Sequence, residues 1–278
     1  MPPEPLPMDR AGQRAFPILL VSVALVVMLL GGRHAPRQPP GAWAAWTVLL
    51  YGGLPLATAL LLDGWRKPAA RAWGLLGLAA VLLPVGAALA VHGVMPAFKA
   101  NPAWLVALAV LSAGLVLIGA WLGGVDLRRW GFGLGDWRWW APRAGLLLLG
   151  TLLLVALWVW LDPAMRAYYP SDEAAKASAG ALALYCGALT LYMVGWEAFW
   201  RGYLLFGVAR SVGPLQAALF QALPFYLVHR GKPETEMIAS FVGGILLCLF
   251  CWRGRSLWPA VLLHAFLNAA VQVAGYLA

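Results

Sequence analysis

Long apolar runs separated by short polar breaks set the pattern of this chain. A helix needs about 20 apolar residues to cross a bilayer, and runs of that order recur along the whole sequence. The candidates are about 16 to 32, 43 to 62, 72 to 91, 103 to 124 and 143 to 161, then 178 to 208, 213 to 228, 237 to 252 and 256 to 276. The run 178 to 208 is too long for one simple span. The pattern predicts an all-α, polytopic helical bundle of eight or nine transmembrane helices. The polar connections 125–142 and 162–177 are the longest. Arg10 and Arg14 precede the first apolar run, but no convincing cleavage site follows, so that run is read as a helix and not as a signal peptide.

Composition agrees with the pattern. Of 278 residues 62% are hydrophobic and 11% charged, against about 25% charged in a soluble domain. The net charge of +9 does not indicate nucleic acid, because the basic residues are spread over short inter-span loops. Trp130, Trp137, Trp139 and Trp140 interleave with Arg128, Arg129 and Arg138, which reads as an interfacial aromatic belt. The nearby Gly-rich stretch Trp130 to Asp136 lacks phosphate-loop order and reads as an interfacial turn. Most of the 20 Lys and Arg residues fall on the N-terminal side of nine alternating spans. That asymmetry predicts a cytoplasmic N-terminus. Cys248 and Cys251 form a C-x-x-C inside an apolar run and, like Cys186, read as buried small residues rather than a redox pair.

Polar residues inside the last apolar runs change the picture. An ionisable group at bilayer depth costs about 2.5 to 3.5 kcal/mol on insertion scales, so several together call for a function. Glu197 and Arg201 are four residues apart and share a helix face. Their apolar neighbours keep the carboxylate from water while the guanidinium offsets its charge. That setting suits a general base, although a helix-stabilising ion pair has the same spacing. His229 closes the run that holds Phe225 and precedes a polar turn, where a histidine at the membrane surface is the plain reading. His264 and Asn268 lie one turn apart within a span, and neither can stay unpaired in hydrocarbon. A structural hydrogen bond meets that need, and so does a polar pocket shared with Glu197, Arg201 and His229. Glu236, in the polar turn, is a further carboxylate with the look of a solvated one. No H-E-x-x-H occurs, so zinc would require two histidines and Glu197 to converge, and no cofactor is implied. No G-x-S-x-G points to a serine nucleophile.

The three frames Glu197-Ala-Phe-Trp-Arg201, Phe225 to His229, and His264 to Asn268 resemble the motifs E-E-x-x-x-R, F-x-x-x-H and H-x-x-x-N of the CPBP family, the ABI or CAAX-protease-like intramembrane endopeptidases. The likeness covers about residues 178 to 276. It suggests a division into N-terminal spans, 1–142, and a protease core, 143–278. The resemblance implies a glutamate-activated water that attacks a peptide bond of a membrane-anchored protein or peptide, in maturation or removal of a C-terminal tail. It makes Glu197 the second motif glutamate and Arg201 its partner. His229, His264 and Asn268 would position the water or stabilise the oxyanion. Trp196 stands where the family has its first glutamate. Either Glu197 serves as the base, or the chain is an inactive scaffold or immunity protein of the same fold. A small-molecule transporter is the remaining alternative, although no internal repeat supports it.

Overall fold

The computed structural model describes residues 102–122, 126–207, 209, 213–227, 229 and 232–278. The apolar runs expected within 16 to 91, and the N-terminus whose side of the membrane the charge pattern addresses, lie outside the described residues. Among the described residues every regular element is helical, as the apolar runs predict. The α-helices are α1 (Pro102–Leu122), α2 (Trp137–Leu161), α3 (Pro163–Tyr168), α4 (Ala179–Glu197), α5 (Pro214–Leu227), α6 (Glu234–Gly254) and α7 (Trp258–Leu277). Helix α4 continues without a break into a π-helical segment, Ala198–Gly207. That continuation explains the overlong apolar run, since 29 residues form one membrane-length rod with a widened end. Four of the described rods are long and apolar enough to cross a membrane: α2, α4 with its π segment, α6 and α7. The chain is an integral membrane protein. The expected total of eight or nine spans extends into residues outside those described.

Local chemistry sets the helix ends. Ser178 caps α4 by accepting from the Ala181 amide at 3.1 Å, and Asp162 caps α3 ahead of Pro163. Helix α6 carries Glu234 and Glu236 in its first turn and Arg253 in its last, each sign matching the helix dipole. Helix α1 packs on α4, α5 on α6, and α7 on both α2 and α4. The face of α2 bearing Leu146, Leu149, Leu153 and Trp160 stays exposed, as a lipid-facing surface should.

The Gly-rich stretch does more than turn at an interface. It docks on the α6–α7 corner through Leu257 N–H to Gly131 O (2.8 Å), Asp136 N–H to Gly254 O (2.8 Å) and Ser256 Oγ to Gly133 O (2.8 Å). Gly135 has φ +55, and a Cβ there would collide with the Gly254 and Arg255 carbonyls. Glycine is therefore demanded by both conformation and space. The expected aromatic belt divides accordingly. Trp137 is exposed and stacks with Arg138, whereas Trp130 and Trp140 are buried in the protein. All three cysteines are free, with Cys248 and Cys251 fully buried, as the apolar context predicts.

Candidate active site

The π-helical widening begins immediately after Glu197, and such distortions mark functional places in helices often. Glu197 and Arg201 are both fully buried. The guanidinium Nη1 lies 3.1 Å from Glu197 Oε1 and 3.0 Å from Oε2. Arg201 also covers the Phe225 ring, with Cζ 4.5 Å from its centroid, and Cys248 lies against it from α6. Across the bundle, α7 brings His264 Nδ1 to 2.6 Å from Glu197 Oε1. Glu197 and Arg201 share one helix face, as their spacing predicts, and the fold adds His264 as a third member from another helix.

His229 follows α5 and is buried, with Nδ1 2.6 Å from the Phe225 carbonyl oxygen. A carbonyl only accepts, so Nδ1 carries the hydrogen, and in the neutral ring Nε2 is an acceptor. The Phe225 ring lies between the two histidines, with centroids 4.8 Å from His229 and 5.8 Å from His264. Asn268 donates from Nδ2 to the His264 carbonyl at 2.9 Å, with Met193 Sδ at 3.4 Å. The plain reading of His229 as a surface histidine does not describe its place.

These residues border a cavity of about 500 Å³ between α2, α6 and α7. Arg201, Phe225, His229, His264 and Asn268 line it, together with Thr151 and Trp158 of α2 and Ser240, Gly243 and Gly244 of α6. The small residues of α6 make the space, since a Cβ on Gly243 would meet nothing within 4 Å. Leu147, Leu246, Leu247, Phe250 and Leu263 make the remaining wall apolar. Glu197 is not in the lining. Neither is Trp196, which packs with Tyr192 and Trp200 at 5.5 Å and with Phe225 at 6.1 Å. Adjacent helical positions point about 100° apart, and here the difference sends the carboxylate to His264 and the indole into an aromatic stack.

A second carboxylate does reach the cavity. Glu236, expected to be a solvated loop residue, belongs to the first turn of α6 and is half-buried. It accepts from Lys232 Nζ and Tyr169 Oη, both at 2.6 Å. Burial, and then the neighbouring Glu236 charge, push the Tyr169 phenol far above its ordinary value. The same causes in the same order raise Tyr168 to about 12. The Lys232–Glu236 spacing of four is the sequence's one hint of the pair, and it is as common on a solvated helix face. Among the described residues, no group of three or more His, Cys, Asp and Glu side chains is placed to hold a metal ion.

Residues 178–270 match the family model described as Type II CAAX prenyl endopeptidase Rce1-like. Over this segment the chain is similar to that family. The match lies within the CPBP family that the three motifs resemble, and covers about a third of the chain. It includes Glu197, Arg201, His229, His264 and Asn268. No curated protein and no solved structure matches the chain. The Rce1-like segment spans α4 to most of α7, while α2, outside the match, supplies one wall of the cavity.

Proposed function

We propose that the protein is an intramembrane endopeptidase that cleaves a membrane-anchored protein or peptide, by a water activated at the Glu197–His264 pair. The observation that supports it most is the 2.6 Å contact between those side chains at the edge of a cavity within the bundle. A carboxylate–imidazole pair is a proton-handling unit, and the Rce1-like match supplies peptide-bond hydrolysis as the chemistry. Arg201 holds the Glu197 carboxylate in place. His229 and Asn268 border the space where a scissile carbonyl would sit. One Asn268 amide hydrogen is directed at the Met193 sulfur, a weak acceptor, and an oxyanion would claim it in preference. The apolar wall from α2 and α6 suits a substrate segment that arrives through lipid. Residues 143–278 form the protease core in this reading, in a bacterial inner membrane with the N-terminus cytoplasmic. The substrate is a peptide in maturation or a C-terminal tail.

Mass spectrometry of protein termini tests this in cells carrying the wild type, Glu197→Gln or His264→Ala at matched levels. The proposal predicts a set of termini present only with the wild type. Identical termini in all three strains would favour a non-catalytic scaffold or immunity protein of the same fold.

A further inference from the structure

The geometry points to His264 Nε2, and not the Glu197 carboxylate, as the group that takes the proton from the attacking water. Glu197 is then a positioning residue. The inference rests on the endopeptidase reading above and assigns roles within it.

Three observations carry it. First, Glu197 has no exposed surface and does not line the cavity, whereas the His264 side chain is 11% exposed and does. A water in the cavity therefore meets the imidazole before it can meet the carboxylate. A base must come within about 3 Å of the proton it removes. Second, the His264 ring is fixed from one side only. Its Nδ1 is held by Glu197 Oε1, and a carboxylate accepts there, so Nδ1 carries hydrogen and the neutral ring keeps its lone pair on Nε2. Among the described residues Nε2 has no hydrogen-bond partner and is not among the buried orphan atoms. Third, Glu197 is held by Arg201, at 3.0 Å within the same helix, and the pair is closed over by Phe225 and Cys248. A carboxylate held in that way is suited to hold a ring and to stabilise an imidazolium, the role of the carboxylate in a histidine-based triad.

The step balances within these groups. The O–H bond of the water breaks and its proton passes to His264 Nε2. The oxygen bonds to the peptide carbonyl carbon, and the C=O electron pair moves onto the carbonyl oxygen. The imidazolium, stabilised by Glu197, then gives the proton to the amide nitrogen as the C–N bond breaks. A free carboxyl terminus and an amine leave, and the pair is regenerated. Trp196 is compatible with this scheme, since the base sits on α7 and does not depend on a carboxylate at position 196.

The test uses the full-length protein in proteoliposomes and a fluorescence-quenched peptide carrying an acyl anchor. We expect His264→Ala to lower kcat by about 10²- to 10⁴-fold, the usual worth of a general base, and added imidazole to restore part of it. Glu197→Gln should lower kcat by at least about tenfold at unchanged KM, with Glu197→Asp recovering part. The double variant His264→Ala, Glu197→Gln should be no slower than His264→Ala alone, because the carboxylate acts only through the ring. Thermal melts of each variant separate loss of fold from loss of chemistry. A His264→Ala protein within about threefold of wild type, or a double variant slower by the full product of the two losses, overturns the inference while the endopeptidase reading stands. No cleavage of the probe by the wild type overturns both.

Discussion

Two glutamates sit near the same cavity, each paired with a cation four residues away and with one further partner from another part of the chain. Glu197 pairs with Arg201 and receives His264 from α7. Glu236 pairs with Lys232 and receives the Tyr169 hydroxyl. The spacing and the number of partners are the same, and burial is not. The Glu197–Arg201 pair is sealed, with neither side chain exposed. At Lys232 and Glu236 the side chains are 26% and 15% exposed. A sealed pair cannot lose one partner without leaving an uncompensated charge in a low-dielectric interior, whereas water takes over much of the work at a partly open one. The inner cluster is therefore a fixed piece of machinery, and the outer one is a clasp joining the segment before α4 to the start of α6.

Removing a cation from each cluster breaks the comparison most sharply. Arg201→Met leaves Glu197 buried without its guanidinium and should cost about 3 to 5 kcal/mol, read as a large fall in detergent melting temperature and in membrane yield. A melting curve like that of the wild type would mean that the inner pair is not sealed. Lys232→Gln at the outer cluster should cost no more than about 1 kcal/mol, and a loss as large as that of Arg201→Met would erase the distinction. A smaller effect appears with pH. Tyr168 is raised from 10.0 to about 12 by burial and by Glu236. Its contribution to stability is complete below pH 10 and is lost as pH rises to about 12, where the folded phenol finally ionises. Melting temperature should fall across that window, and less steeply in Tyr168→Phe. Equal slopes in the two proteins would show that Tyr168 is not shielded as described.

The sequence resolves the inner cluster better than the outer one for a physical reason. Helical spacing predicts faces, and Glu197, Arg201, His264 and Asn268 each interrupt an apolar run, where a polar group has to be satisfied by the protein. Glu236 follows Arg230, Lys232 and Glu234 in a polar stretch, so nothing in its neighbourhood distinguishes a cavity carboxylate from a solvated one. The wall built by Leu147, Thr151 and Trp158 of α2 was not legible either, because apolar residues facing a cavity and facing lipid obey the same pattern. Spacing also could not reveal the order in depth. The motif pointed to Glu197 as the base, and only the crossing of α7 over α4 places His264 between that carboxylate and the cavity. Trp196 illustrates the same limit. As a replaced glutamate it left open whether Glu197 serves as the base or the chain is inactive, and spacing gave no sign that its ring joins Tyr192, Trp200 and Phe225.

The arrangement of Glu197 behind His264 has a direct spectroscopic signature. Nitrogen-15 solid-state NMR of histidine-labelled protein in lipid at neutral pH reports which ring nitrogen bears hydrogen, and the His264 signals are assigned by their loss in His264→Gln. The account predicts a ring protonated at Nδ1 and bare at Nε2, with the Nδ1 signal shifted by Glu197→Gln. A His264 ring bare at Nδ1, or one indifferent to Glu197→Gln, would contradict it.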